Sequence, residues 1–168
     1  MVFSAAYDIQ RIPYSLNPPE GWKFREGPGF FVFAAISPES LRVEHPTNPF
    51  VFENLTLSQE AADSASMVAL RKDGVAFIQG NQLKYYKDGK LGRGTVRAFN
   101  GIQGAYVRLI FTNGDGIRLC NTQFSFLDGS VLYSLVLTSR AQDTVRNEKM
   151  MEKVLASLKR RTVAAAKP

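Results

Sequence analysis

The chain is poor in the residues from which most catalytic and metal sites are made. Its 168 residues include one cysteine, one histidine and one tryptophan. The single cysteine, Cys120, excludes an intramolecular disulfide and a cysteine-rich metal site. The histidine, His45, lies in a proline-rich loop beside Glu44, and an adjacent carboxylate seldom has the geometry that orients a general base. We therefore predict a protein that is not an enzyme, with no catalytic residue, no metal site and no cofactor.

Long apolar runs and nucleotide-binding motifs are also lacking. No segment approaches the roughly 20 apolar residues of a membrane span, which predicts a soluble protein. The glycine-rich stretch Gly89–Gly94 has neither the dinucleotide nor the Walker spacing. The first residues lack a basic region followed by a long apolar one, so no intact secretory signal is expected. The compartment stays open; if a targeting peptide has been removed, a bacterial envelope or periplasm or an organelle lumen is favoured over the cytoplasm.

Positive charge is in excess, with a formal net charge of +6, and it is concentrated in two stretches. One is the C-terminal set Lys159, Arg160, Arg161 and Lys167, and the other runs from Lys84 to Arg97 and also carries two tyrosines. The pairing of Leu83–Tyr86 with Leu91–Phe99 is expected to make this stretch a hairpin. An acidic surface on another protein, or a membrane-associated complex, is the favoured partner. Nucleic acid is a weaker candidate, because no RNA-binding signature, helix-turn-helix or zinc module is present. The predicted partner-binding residues are Lys84, Tyr85, Tyr86, Lys87, Lys90, Arg93 and Arg97.

The residue pattern predicts an α+β fold with a central, largely antiparallel β-sheet flanked by helices. A run from Tyr106 to Arg160 consists of three strand-like segments and one amphipathic helix whose apolar stripe must be buried on the sheet. An earlier helix is expected from Ser58 to Lys72, ended by Asp73-Gly74, while Val75–Gln82 fits either a strand or a further helical turn. The domain prediction is a lead-in at 1–11, a single domain at 12–160 and a basic tail at 161–168.

Several short segments resemble motifs of the PsbP-like superfamily, which includes the Mog and DcrB-type families. The resemblance covers about Tyr14 to Lys159. It is carried by Pro18-Pro-Glu-Gly-Trp22, Phe50–Leu57, Gly101–Arg108, Asp128–Leu135 and the closing Met150–Lys159. It implies an α/β/α sandwich and a non-enzymatic role. Members of the superfamily act as extrinsic subunits of photosynthetic complexes, as binders of a small GTPase, as envelope lipoproteins or as chaperones for secreted effectors.

Two functional hypotheses follow. The first is a non-enzymatic protein-binding or assembly module, such as an extrinsic subunit, a chaperone or an envelope-associated adaptor. It would use the basic hairpin and the sheet surface, with Tyr85, Tyr86 and Phe99 as exposed anchors. The alternative is a protein that binds a hydrophobic ligand or helix in a phenylalanine-lined groove, although an ordinary core explains the same residues. That groove would be lined by Phe30, Phe31, Phe33, Phe124 and Phe126, with Phe30 and Phe31 pointing to opposite faces. The oligomeric state is left open.

Overall fold

The computed structural model describes residues 7–8, 11–27, 30–42, 53–86 and 88–161. Within these residues, eleven β-strands and three α-helices follow one another along the chain. They are β1 (Tyr7–Asp8), β2 (Tyr14–Leu16), β3 (Lys23–Glu26), β4 (Phe31–Ile36), α1 (Pro38–Arg42), β5 (Asn54–Ala61), α2 (Ser64–Tyr85), β6 (Lys90–Leu91), β7 (Thr95–Phe99), β8 (Ile102–Thr112), β9 (Arg118–Asp128), β10 (Val131–Arg140), α3 (Thr144–Ser157) and β11 (Lys159–Arg160).

The larger of two sheets contains eight antiparallel strands in the order β3-β4-β5-β10-β9-β8-β6, with β7 also paired to β8. Tight turns connect β8 to β9 and β9 to β10. At the first of these turns, the side-chain oxygen of Asn113 accepts the backbone N–H groups of Asp115 and Ile117 at 3.1 and 2.8 Å. At the second, Gly129 has a φ of +63°, which favours glycine. The predicted α+β fold with a largely antiparallel sheet is confirmed.

The main hydrophobic core lies between this sheet and α3. Phe124, Leu135 and Leu137 project from the central strands onto Met151 and other apolar residues of the helix. Most of the apolar stripe predicted for the last helix is buried on the sheet as expected, namely Met151, Val154, Leu155 and Leu158. Val145, which the prediction placed in the same stripe, is 68% exposed. A smaller sheet, β1-β2-β11, closes one side of this core, where the Tyr14 ring packs edge-on against Phe126 at 5.2 Å. The Tyr14 hydroxyl donates a hydrogen bond to Asp128 at 2.9 Å.

Helix α2 covers only part of the opposite face of the sheet. It lies along β8, where Ile78 packs against Ala105, Val107 and Leu132 in a second, smaller core. Strands β5 and β10 present their residues on this face beside the helix, and most of these residues stay half-exposed. The two faces of the sheet therefore differ: one is sealed by α3, and the other carries an open groove beside α2.

The boundaries predicted for the earlier helix were wrong. Ser58 belongs to β5, where it pairs with Ser134, and the helix begins at Ser64. Its N-cap is Asp63, whose carboxylate accepts the Ser66 backbone N–H at 2.7 Å; this hydrogen bond lowers the pKa of Asp63. Asp73 breaks the helix locally, with φ −154° and ψ 82°, but does not end it. Its carboxylate accepts the Ala76 N–H at 3.0 Å and so caps the second part of the helix.

Several predictions concern residues outside the described part of the chain. These residues are His45 with most of its loop, Lys87, and the tail from residue 162. The first residues of the predicted loop form the short helix α1. Within the predicted lead-in, Tyr7–Asp8 pair with β2. Arg161, at the start of the predicted tail, donates its backbone N–H to the Pro13 carbonyl oxygen at 2.9 Å.

Candidate functional site

A groove of about 1270 Å³ runs between α2 and strands β5 and β10. Its floor is built from alternate residues of neighbouring strands, because directly paired residues of an antiparallel sheet share a face. The register places them in rows across the sheet: Asn54, Thr138 and Asn121; Thr56, Val136 and Gln123; and Ser58, Ser134 and Ser125. Eight of these nine side chains carry a hydroxyl or a carboxamide group. The floor is therefore polar where the other face of the same strands is apolar.

Hydrogen bonds among these side chains hold the floor in one arrangement. Gln82, from α2, donates its side-chain N–H to the Gln123 side-chain oxygen at 2.9 Å. Gln123 in turn donates to the Ser125 hydroxyl at 2.8 Å, and the hydroxyl groups of Ser125 and Ser134 are 2.8 Å apart. Because this network is already formed, a bound molecule meets donors and acceptors in fixed positions, and fewer side chains lose conformational entropy on binding.

Aromatic side chains stand at the edges of the groove. On the side of β4, the rings of Phe30 and Phe31 are 4.2 Å apart and 60% and 44% exposed, and Phe31 lines the groove. At the end of α2, Tyr85 is 82% exposed, whereas Tyr86 is half-buried and packs on Phe111 with 4.0 Å between ring centroids. The groove thus combines a hydrogen-bonding floor with apolar contact surface at its rim.

Three of the predicted partner-binding residues lie at this groove, but as the end of a helix. Lys84 and Tyr85 form the last turn of α2, and Tyr86 is its C-cap. The amine of Lys84 donates to the Asn81 side-chain oxygen at 3.2 Å. The hairpin expected between Leu83–Tyr86 and Leu91–Phe99 was wrong. Residues 95–99 pair with β8 instead, through a tight turn at Asn100-Gly101.

The other predicted residues lie elsewhere. Lys90 and Arg93 are exposed around β6, and Lys87 is outside the described residues. Arg97 lies on the α3 side of the sheet, where it donates to the Glu152 carboxylate at 2.7 Å. Its guanidinium is 5.0 Å from the centre of the Phe99 ring, and Phe99 itself is half-buried. The structure therefore does not gather the six described residues of this set into one surface.

Most of the phenylalanines of the alternative hypothesis belong to the core. Phe33, Phe124 and Phe126 are at most 3% exposed and lie under α3. Phe30 and Phe31 were expected to point to opposite faces of the sheet, and this prediction was wrong. Their rings stack side by side, just before an irregularity in the β4–β5 register between Phe31 and Phe33. The prediction of a groove lined by all five phenylalanines is therefore wrong.

The sequence interpretation missed the polar floor, although a signal was present. In β5, polar Asn54, Thr56 and Ser58 alternate with apolar Leu55 and Leu57. The same alternation recurs in β9 and β10. A period of two with polar residues on one face indicates a strand that is buried on one side only.

Burial raises the pKa values of titratable groups in the described part of the chain, among them Cys120 and Tyr106. The raised pKa of the Cys120 thiol disfavours its nucleophilic thiolate at neutral pH. Among the described residues, no three histidine, cysteine, aspartate or glutamate side chains are grouped so that they could hold a metal ion. None of the described helices is long and apolar enough to cross a membrane.

Helix α2 is expected to open more readily than α3. Of the 22 residues of α2, two are buried, against five of the 14 residues of α3. Elements with few buried contacts open at low free energy. We expect the slowest backbone amides of α2 to exchange with deuterium roughly 100-fold faster than those of α3. Hydrogen exchange followed by mass spectrometry measures this difference; equal protection of the two helices would contradict it.

Comparison with known proteins finds likeness in structure alone. No family model and no curated protein matches the chain. A cyanobacterial PsbP (CyanoP) from Synechocystis sp. PCC 6803 is similar with a TM-score of 0.60 and 14% identity, over 92% of this chain and 91% of that one. LpqN of Mycobacterium tuberculosis is similar with a TM-score of 0.57 and 12% identity, over 86% of this chain and 81% of that one.

A third similar structure is a protein from Bacteroides thetaiotaomicron VPI-5482, with a TM-score of 0.56 and 16% identity. The match covers 93% of this chain and 48% of that one, so this chain spans about half the length of that protein. Identities this low establish the fold and nothing finer. The resemblance inferred from short motifs is confirmed at that level: the chain has the PsbP-like fold.

Proposed function

We propose that this chain is a non-enzymatic adaptor that binds a segment of another protein in the groove beside α2. One observation carries the proposal: part of a sheet face is left uncovered and is lined by hydrogen-bonding side chains that are already fixed in a network. A non-enzymatic adaptor role is in keeping with this fold, which the chain shares with LpqN, a protein involved in cell envelope biogenesis, and with CyanoP, a cyanobacterial PsbP. By the same analogy, an envelope, periplasmic or lumenal location is favoured over the cytoplasm.

The size and chemistry of the groove favour a polypeptide over a small molecule. Its volume of about 1270 Å³ exceeds the roughly 300 to 1000 Å³ of common small-molecule sites. The floor extends along three neighbouring strands, β5, β10 and β9, and offers both donors and acceptors, which match the side chains of a peptide segment. Val136 on the floor and Phe31 at the edge supply apolar contacts for the same segment.

The rim at the end of α2 is suited to anchoring and steering. Tyr85 exposes most of its ring beside the positive charge of Lys84, and aromatic residues are common binding hot spots. A cation at the rim mainly increases the rate at which an acidic partner associates. The acidic partner expected from the net charge is therefore assigned to this end of the groove, and Arg97 on β7 and the basic residues Lys90 and Arg93 around β6 take no part.

The proposal predicts which basic residues matter for capture of a partner from the native source at low salt. Changing Lys84→Glu together with Tyr85→Ala should weaken binding about 30-fold or more, because a rim charge is reversed and an aromatic anchor is lost. A matched double variant, Lys90→Glu with Arg93→Glu, reverses two exposed charges away from the groove and should retain the partner. Quantitative mass spectrometry of the captured protein compares the two variants with the wild type.

The reverse result would overturn the placement. If the partner is lost with Lys90→Glu/Arg93→Glu and retained with Lys84→Glu/Tyr85→Ala, the interface lies around β6. Equal loss with both variants would indicate non-specific attraction to positive charge, and the adaptor proposal would then lose its support.

A second candidate function is the binding of a hydrophobic ligand or a hydrophobic helix. The exposed pair Phe30 and Phe31 favours it, because two adjoining aromatic rings at the edge of a groove offer apolar contact area. The polar floor favours the first candidate. If the groove binds a peptide segment, Phe30 and Phe31 contact one apolar side chain of that segment. If it binds a hydrophobic ligand or helix, the two rings supply the main contact surface.

A further inference from the structure

We infer that the segment bound in the groove places an uncharged donor side chain, a hydroxyl or a carboxamide, against the side-chain oxygen of Gln82. This inference rests on the proposed function and specifies the chemistry of the partner. Gln82 lies on the inner face of α2, lines the groove and is 6% exposed. Its Oε1 accepts no hydrogen bond from any of the described residues.

The hydrogen-bond network explains why this oxygen is left over. Gln82 donates through Nε2 to Gln123 Oε1, and Gln123 uses its own Nε2 for the hydroxyl of Ser125. Each carboxamide has one acceptor and one donor group, so the chain of bonds ends at Gln82 Oε1. Reversing both carboxamides together would instead leave the Gln82 NH₂ group at the end, which would require an acceptor from the partner.

A buried acceptor without a hydrogen-bond partner is unexpected at a position where an apolar residue could pack instead. Buried polar groups in folded proteins nearly always have a partner, because leaving one unsatisfied is costly. One turn earlier on the same face of α2, Ile78 packs on the sheet as an apolar residue. A methionine at position 82 could pack in the same way. A donor from the bound segment would satisfy the oxygen and complete the network across the floor.

The donor is expected to be uncharged. Burying a cation is costly unless a carboxylate compensates it, and the end of the network offers only a neutral carboxamide. Lys84, two residues beyond Gln82, adds positive charge at the same end of α2. Serine, threonine, asparagine and glutamine side chains therefore fit the site, whereas lysine and arginine do not.

The probe for this inference is a displayed library of random 12-residue peptides, selected on the immobilised wild-type protein. Counter-selection on Thr56→Trp, which fills the floor of the groove, removes peptides that bind elsewhere. Selected peptides should share a serine, threonine, asparagine or glutamine at one position. Replacing it by an apolar residue of similar size should weaken binding to the wild type about tenfold, and leave binding to Gln82→Met unchanged.

Three results would overturn the inference. The first is that replacing the polar residue of the peptide weakens binding to the wild type and to Gln82→Met by the same factor. The second is that the selected peptides share no polar residue. The third is that they share a carboxylate instead of a hydrogen-bond donor. If no peptide survives counter-selection, the proposed function fails and this inference with it. Should Gln82→Met not fold, the side-chain amide signals of Gln82 in the wild type decide by NMR. They should shift with the polar peptide more than with its apolar counterpart, and equal shifts would contradict the inference.

Discussion

Replacing Phe124 by alanine should lower the free energy of unfolding by about 3–5 kcal/mol. The Phe124 side chain is 0% exposed and lies in the main core between the sheet and α3. Its ring packs edge-on against Phe99 at 5.3 Å and lies 5.7 Å from the Phe126 ring. The truncation would remove the whole ring and leave a cavity that rigid strands on either side cannot close. Urea unfolding followed by circular dichroism measures the change.

Phe31→Ala is the matched control for this loss. Phe31 is 44% exposed and stacks on Phe30 at the edge of the groove, so its truncation should cost about 1 kcal/mol or less. A large loss with Phe31→Ala and a small one with Phe124→Ala would mean that the wrong face of the sheet has been assigned to the core. Equal losses would also contradict the assignment.

Turn signals and periodicity predicted the C-terminal half of the fold well, because its connections are short. The Asp128-Gly129 turn and the amphipathic pattern of α3 fix neighbouring strands and a covered face from local sequence alone. The Asn100-Gly101 turn carries the same type of signal, with φ of 49° and +80°, and joins β7 to β8. This turn by itself predicts that β7 pairs with β8.

The extent of α2 could not be obtained from local sequence, because tertiary contacts decide it. Its apolar stripe is weak, and Asp73 interrupts the helical backbone. The helix resumes because Ile78 reaches the smaller core and Tyr86 packs on Phe111. The strand-like composition of residues 83–86 is overridden by these contacts.

The groove follows from two features that are separated in the sequence. Alternating polar residues mark one face of β5, β9 and β10 as solvated, and this could be read from the sequence. Which part of that face α2 covers depends on the long-range strand order, in which β5 lies beside β10. No local pattern encodes that order. The stretch beginning at Lys84 was therefore predicted to form a hairpin, whereas Lys84 and Tyr85 end α2 at the edge of the groove.

Replacing Val136 by tryptophan should abolish most partner binding while leaving the protein folded. Val136 lies between Thr56 and Gln123 in the middle row of the floor and is half-buried, with its side chain lining the groove. An indole ring at this position would occupy the space that the partner segment needs. We expect the affinity to fall by more than about 30-fold, which is roughly 2 kcal/mol.

Val145→Trp provides the same substitution on the opposite side of the sheet. Val145 is 68% exposed on α3, so an indole ring there neither fills the groove nor disturbs the core. Both variants should melt within a few degrees of the wild type, because neither loses a buried apolar group. Thermal unfolding followed by circular dichroism establishes this before binding is compared.

The decisive measurement is the dissociation constant of the partner captured from the native source, produced separately and titrated calorimetrically into the wild type, Val136→Trp and Val145→Trp. An adaptor that uses the groove beside α2 should bind with unchanged affinity in Val145→Trp and with more than about 30-fold lower affinity in Val136→Trp. Unchanged affinity in Val136→Trp, with a folded protein, would place the partner outside the groove and contradict the account.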